Sequence, residues 1–92
     1  MAHLPAIAIA VEILNGPSAL SGILNISPAS VSQWVSGFRR VPAERCPDIE
    51  RAVVGAVTCE QLRPDIRWHR VEDKAWPHPT GRPLIDVAAA GA

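Results

Sequence analysis

Two short segments in the first half of the chain carry apolar residues at the i, i+3, i+4 spacing of an amphipathic helix. The first segment has Leu20, Ile23 and Leu24, and the second has Val31, Trp34 and Val35. This spacing places the apolar residues of each segment on one side of a helix. The pattern therefore predicts two helices whose apolar sides face one small core.

The residues between these segments predict a tight turn. Asn25 stands where the chain must reverse, and asparagine enters the left-handed backbone region more readily than most residues. Ser27 can cap the second helix with its hydroxyl. Pro28 suits the first helical position, because an N–H there would have no partner within the helix. Two helices around such a turn have the layout of a helix-turn-helix DNA-binding motif.

The outer side of the second predicted helix carries small and hydrogen-bonding residues. These residues are Ala29, Ser30, Ser32, Gln33 and Ser36. The major groove of DNA admits an α-helix, and a glutamine amide can contact adenine through two hydrogen bonds. Gln33 is therefore the strongest candidate for reading a base. The alternative is that all five residues are solvent-facing positions of an ordinary small helical domain.

Positive charge is concentrated directly after the second helix, where Arg39 and Arg40 follow Gly37 and Phe38, with Arg45 nearby. Arginine binds phosphate through a planar fork of donors, so this segment is predicted to contact the DNA backbone. Alternatively, these arginines complement the helix dipole and keep the surface soluble. The predicted DNA-contacting residues are Ser27, Ala29, Ser30, Ser32, Gln33, Ser36, Arg39, Arg40 and Arg45.

The apolar N-terminal segment predicts a first helix over about residues 5–14. The residues expected to face the core are Leu4, Ile7, Val11 and Leu14. Ile9 and Ile13 lie on another side, where they either pack against later helices or form a self-association surface.

A fourth helix is predicted from Pro42 to about Val54, with Gly55 as its C-terminal stop. Two forms of this helix are possible, because a proline inside a helix either marks its start or bends it, and Pro47 lies within the segment. Either residues 42–46 form a preliminary turn and the regular helix begins near Pro47, or the helix is bent there. Glu50 is expected to form a structural ion pair with Arg63 or Arg51.

Thr58 and Gln61 have the spacing of a capping box, which predicts a short fifth helix that ends at Pro64. Trp68 is expected to close the core from the C-terminal side. We expect a domain over residues 4–68 and an irregular, poorly ordered tail over residues 69–92, because helical periodicity is lost and proline and glycine increase. Trp76 and the apolar segment 83–87 could dock on the domain, on another subunit or on a partner protein.

Composition restricts the function further. The 92 residues make one small domain, too small for a deep catalytic cleft, and contain no Gly-rich phosphate loop or catalytic constellation. We therefore expect no enzyme. The formal net charge is zero and the pI is about 6.8, so any DNA binding must rest on a local patch rather than on a broad basic surface.

The sequence predicts no metal, cofactor or membrane segment. Cys46 and Cys59 lack CxxC spacing and are expected to be buried free thiols. The apolar N-terminal segment contains Glu12, lacks a basic region and is too short to cross a bilayer. We expect a cytoplasmic protein of a bacterial or phage-infected bacterial cell.

Residues 6–68 resemble the YdaS-type branch of the Cro-like helix-turn-helix proteins, which occur in prophages and are described as transcriptional regulators or antitoxins. The most specific part of the resemblance comprises residues 41–47, Ile49-Glu50, Gly55, residues 62–65 and Trp68. It implies an all-α fold of the lambda-repressor type, a compact four-to-five-helix bundle with a helix-turn-helix and an irregular C-terminal tail. It also implies binding to double-stranded operator DNA through the second motif helix, as a homodimer or higher oligomer.

Four positions depart from the usual pattern of this family. Ser21, Gly22 and Asn25 stand where alanine, a long polar or basic residue, and glycine are common. Pro28 stands where the family often has glutamine, so one base-reading side chain is missing and weaker binding is expected. Gly22 weakens the first motif helix by about 1 kcal/mol relative to alanine.

The sequence leaves two functions open. In the first, the chain is a prophage regulator that occupies an operator through the helix at about residues 28–36. In the second, it is an antitoxin-like module whose main partner is a toxin or another protein, bound through the tail or the first helix. DNA binding would then be autoregulatory or vestigial.

Overall fold

A computed structural model describes residues 4–86 as five helices followed by a two-stranded antiparallel hairpin. In chain order the elements are α1 (Ala6–Ile13), α2 (Pro17–Leu24), α3 (Pro28–Ser36), a 3₁₀ turn (Ala43–Arg45), α4 (Cys46–Ala52), α5 (Cys59–Leu62), β1 (Trp68–Val71) and β2 (Arg82–Ile85). The five helices confirm the predicted helical bundle.

One apolar core joins all five helices. Its buried residues are Ile7, Ala10, Leu20, Leu24, Val31, Trp34, Val41, Cys46, Ile49, Val53, Val57 and Cys59. Trp68 packs against this core and donates its indole N–H to the Arg63 carbonyl at 3.0 Å, which confirms that it closes the core from the C-terminal side. Because each helix is short, burial of these apolar side chains provides most of its stability.

Two predicted core positions are wrong. Leu4 is 54% exposed because α1 begins only at Ala6, and the helix buries Ile7 and Ala10 instead. Ile23 is 56% exposed because α2 buries the side that carries Ser21. The Ser21 hydroxyl donates to the Ser18 carbonyl at 2.9 Å, so it can be buried with its donor satisfied.

The C-terminal helices follow the local sequence signals closely. A 3₁₀ turn at Ala43–Arg45 precedes α4, so the version with a preliminary turn is confirmed. Thr58 and Gln61 form the predicted capping box: the Thr58 hydroxyl accepts the Gln61 N–H, and the Gln61 side chain accepts the Thr58 N–H.

The predicted irregular tail instead contains the hairpin of β1 and β2, in which Trp68 pairs with Ile85 and Val71 pairs with Arg82. Two glycines make this arrangement possible. At Gly55 a side chain would collide with the Pro77 carbonyl, and at Gly81 it would collide with the Val71 carbonyl. The last predicted tail residues, 87–92, lie outside the described part.

The hairpin is attached to the helices through a buried carboxylate. Glu50 on α4 is completely buried, and the Arg70 guanidinium donates to both of its oxygens, at 2.6 and 2.7 Å. The Trp76 indole N–H and the Cys59 backbone N–H donate to the same carboxylate at 2.6 and 2.9 Å. We call these four residues the Glu50 network. The predicted partner of Glu50, Arg63 or Arg51, is therefore wrong.

Long-range geometry explains this difference. Arg63 donates to Asp65 and to the Val41 carbonyl, while Arg51 lies over the Trp76 ring at 5.4 Å. Burial alone would raise the pKa of Glu50, but hydrogen bonds from Arg70, Trp76 and Cys59 outweigh it and lower that pKa. The carboxylate is thus held in its charged form inside the fold.

Within residues 4–86, no single helix is long and apolar enough to cross a membrane. Together, α1 and α2 have the length and composition of a span, but the two are bent by 93°.

Arg70→Met should destabilise the protein strongly, because it leaves the Glu50 charge buried without its main partner. Removal of one member of a buried ion pair typically costs about 3–5 kcal/mol. Urea unfolding followed by circular dichroism measures the loss. Glu60→Gln is the matched control, because half-exposed Glu60 contacts the outer side of Arg70 and should contribute at most about 1 kcal/mol. Equal, small losses in both variants would contradict this role of Glu50.

Candidate nucleic-acid interface

The turn between α2 and α3 has the geometry that its residues predict. Asn25 ends α2 in the left-handed conformation, with φ at 56°. Ser27 is the N-cap of α3, and its hydroxyl oxygen accepts the Ser30 N–H at 3.3 Å. Pro28 occupies the first helical position. α2 and α3 pack against each other and form a helix-turn-helix.

The buried side of α3 carries Val31 and Trp34, with Val35 partly buried beside them. Successive residues turn by about 100° in an α-helix, so the opposite side is centred on positions 29, 33 and 36. The residues on and beside this side form the outer face: Ala29, Ser32 and Ser36 are exposed, and Ser30 and Gln33 are partly buried. The structure therefore brings all five predicted α3 residues onto one accessible surface.

Gln33 lies near the middle of the outer face. Within residues 4–86 its side-chain amide makes no hydrogen bond, so both its donor and its acceptor are available. Its backbone carbonyl, in contrast, accepts the Ser36 hydroxyl at 3.1 Å and the Arg39 N–H at 3.2 Å. The backbone around Gln33 is thus constrained while its amide is not.

The turn after α3, residues 37–40, presents cationic and apolar side chains together. Gly37 ends the helix with φ at 82°, a left-handed conformation that favours glycine. Arg39 lies with its guanidinium 6.0 Å from the centre of the Phe38 ring. Arg40 is largely exposed and, among residues 4–86, makes a single 3.2 Å contact with Asp65, which leaves most of its donors free.

Asp65 is held mainly by a different arginine. Arg63 donates two hydrogen bonds to it, at 2.7 and 2.8 Å. The Arg63 guanidinium, with a smaller contribution from Arg40, lowers the pKa of Asp65 to about 2. Because Arg63 already neutralises Asp65, Arg40 can leave this carboxylate at little cost and approach a phosphate.

Arg45 is placed differently from the other predicted DNA-contacting residues. It is partly buried, and its guanidinium donates to the Leu24 carbonyl at 3.3 Å. Leu24 is the last residue of α2, so this hydrogen bond joins the start of α4 to the helix-turn-helix turn. In this structure Arg45 positions the motif.

The described residues show no other chemical centre. Within residues 4–86, no group of three or more His, Cys, Asp and Glu side chains could hold a metal ion. Cys46 and Cys59 are free and buried, as predicted, and burial raises the pKa of the Cys46 thiol to about 12. Burial also raises the pKa of the Cys59 thiol. Both thiols are therefore protonated and unreactive near neutral pH.

Residues 7–71 match the model of a protein family described as "Bacterial toxin YdaS". The chain belongs to the YdaS family. It is 56% identical over 59 residues to a protein of Escherichia coli (strain K12) named "Putative transcriptional regulator YdaS". This match covers 64% of the present chain and 60% of the length of the relative.

A solved structure supports the same relationship for this YdaS-family chain. It is described as the "Cro protein from putative prophage element Xfaso 1 in Xylella fastidiosa strain Ann-1", with 48% identity and a TM-score of 0.64. The match covers 68% of the present chain and 95% of the Cro chain. The predicted resemblance and the Cro-like fold are confirmed. Neither relative is named as an enzyme, in agreement with the expectation for this chain.

Ser27→Ala should destabilise the protein by about 1 kcal/mol, because the N-cap hydrogen bond of α3 is lost. Urea unfolding measures the change. Ser32→Ala is the control, because exposed Ser32 lies on the same helix without a capping role and should change stability by less than about 0.5 kcal/mol. Equal stability of the two variants would show that Ser27 does not cap α3 in solution.

Proposed function

We propose that this protein is a DNA-binding transcriptional regulator that reads an operator sequence with α3. The observation that carries this proposal is the accessible outer face of α3, which lies directly beside the exposed cations Arg39 and Arg40. A helix in the major groove needs small residues for close approach and polar groups that bind the base edges. It also needs neighbouring side chains that bind the phosphates. The relatives named as a transcriptional regulator and as a Cro protein support the same function.

The residues of the outer face have separate roles in this proposal. Gln33 reads a base through its free amide, which can both donate and accept. Ala29 allows the helix to lie close to the base edges. The serine hydroxyls at positions 30 and 32 supplement these contacts, because a hydroxyl can bond to a base or to a phosphate oxygen. The Ser36 hydroxyl already donates to the Gln33 carbonyl, so it contributes only by accepting a hydrogen bond from a base. Ser27, at the N-terminus of α3, binds phosphate in addition to capping the helix.

The arginines provide affinity without sequence choice. Arg39 and Arg40 bind phosphates beside the groove, and the release of counterions makes this contribution sensitive to salt. Arg45 acts indirectly, by holding the end of α2 through the Leu24 carbonyl. Only a few side chains are proposed to contact the DNA phosphates, in keeping with the protein's formal net charge of zero.

We include a homodimer or higher oligomer in the proposal, together with a cytoplasmic location. A two-fold pair of α3 helices would read an operator with two related half-sites. The oligomer would then bind the operator more tightly than one subunit binds a single half-site, because both half-sites are bound simultaneously.

The alternative is the antitoxin-like module that binds a toxin or another protein. A truncation after Trp68 would ordinarily separate this function from DNA binding. Here it would also remove Arg70 and Trp76 from Glu50, so loss of function could reflect unfolding. Point substitutions on the exposed surface of the hairpin are therefore the appropriate test of a protein partner.

Gln33→Ala should reduce discrimination between the native operator and a scrambled duplex by about 1–3 kcal/mol, because a base contact of two hydrogen bonds is lost. Fluorescence-anisotropy titration against the DNA upstream of the gene and against its scrambled version measures the ratio. Ser18→Ala, an exposed substitution on α2 outside the outer face, is the control. A wild-type ratio in the Gln33 variant would exclude Gln33 as a base reader.

Arg39→Gln should weaken binding to native and scrambled duplexes alike and lower the salt slope by about one, because one phosphate contact is lost. Titrations at several salt concentrations give the slope. Lys74→Gln removes the same charge from the exposed loop between β1 and β2 and should leave the slope unchanged. If both variants lower the slope equally, the effect reports net charge rather than a contact.

A further inference from the structure

Phe38 is the most exposed of the large apolar side chains in the described part of the chain, at 75%. It lies between the C-terminus of α3 and the two arginines of residues 37–40. An isolated exposed apolar residue is common on protein surfaces and needs no explanation. Phe38 differs because its backbone is held in place and its neighbours are cationic.

Three hydrogen bonds hold the turn that presents this ring. The Phe38 N–H donates to the Ser36 hydroxyl at 3.4 Å, and that hydroxyl donates to the Gln33 carbonyl at 3.1 Å. The Arg39 N–H returns to the same Gln33 carbonyl at 3.2 Å. The backbone of Phe38 is thus tied to the residue at the centre of the outer face.

Charge indicates what covers the ring. Arg39 lies against Phe38 at 6.0 Å, and Arg40 follows with most of its donors free. Two like charges beside an apolar ring would oppose a second copy of the same surface, but they complement a polyanion. Deoxyribose rings along a DNA strand offer apolar carbon atoms between the phosphates that these arginines would bind.

We propose that Phe38 packs against the deoxyribose backbone of bound DNA, at the point where the protein chain leaves the major groove after α3. This rests on the proposed DNA-binding function and adds an apolar contact to it. The contact adds affinity for any duplex, because every nucleotide carries the same sugar. It releases no counterions, because the phenyl ring carries no charge.

These properties distinguish Phe38 from Gln33 and from Arg39. Phe38→Ala should lower affinity by about tenfold for the native and the scrambled duplex alike, the loss expected for exposing part of an aromatic ring. The ratio between the two duplexes and the salt slope should both remain as in the wild type. Phe38→Leu, which keeps an apolar side chain, should recover part of the affinity.

The experiment is an anisotropy titration of the full chain at several salt concentrations, with both duplexes. Val54→Ala is the matched control, because Val54 is 72% exposed in the loop after α4 and should not affect DNA binding. Thermal unfolding of each variant establishes that it is folded. Sedimentation velocity without DNA compares the oligomeric state of the wild type with that of Phe38→Ala.

Four outcomes would overturn the proposal: unchanged affinity in Phe38→Ala, a changed salt slope, a loss confined to the native duplex, or dissociation of a wild-type oligomer. The last would make Phe38 a subunit contact. If the wild type binds neither duplex, the proposed function itself fails. If the wild type binds with its expected salt dependence and Phe38→Ala binds equally well, only the role of Phe38 fails.

Discussion

The buried carboxylate of Glu50 is the interaction on which the arrangement of the C-terminal half depends. A charged group with no exposure is tolerated only when donors replace the water it has lost, and four donor groups from Cys59, Arg70 and Trp76 do so here. They come from α5, from β1 and from the loop between the strands. Because one carboxylate satisfies all of them, α4, α5 and the hairpin must assemble together.

The same helix α4 links this arrangement to the candidate DNA surface. Glu50 lies on α4, and Arg45 directly before it reaches the Leu24 carbonyl at the end of α2. The turn that follows Leu24 sets the angle of α3 through the left-handed Asn25 and the Ser27 cap. A chain of contacts therefore runs from the hairpin to the outer face.

Local signals made much of this structure predictable, because they depend on neighbouring residues. A left-handed Asn25, the Ser27 cap and the Thr58–Gln61 capping box each involve at most four consecutive positions. The pairing of Glu50 with Arg70 spans twenty residues, and nothing near Glu50 distinguishes Arg70 from the closer Arg51. The hairpin was not predictable either, because its strands are only four residues long and no tight-turn sequence joins them.

For the candidate site, helical periodicity was enough to predict the accessible outer face of α3. It could not predict the hydrogen bond from Arg45 to the Leu24 carbonyl, because these two residues are far apart in the sequence.

Pairing of charges explains how a neutral chain presents a local positive surface. Glu50 and Glu60 both pair with Arg70, Asp65 pairs with Arg63, and Asp73 pairs with Arg82. These pairs all lie after α3 in the sequence. Each places a positive charge next to an acidic group, which weakens the effect of that group on the positive electrostatic potential around α3. Arg39 and Arg40 are left with free donors directly beside the outer face. Only a few phosphates can be bound in this way, so an apolar contact in the same turn would raise affinity without adding the broad positive charge that promotes nonspecific binding.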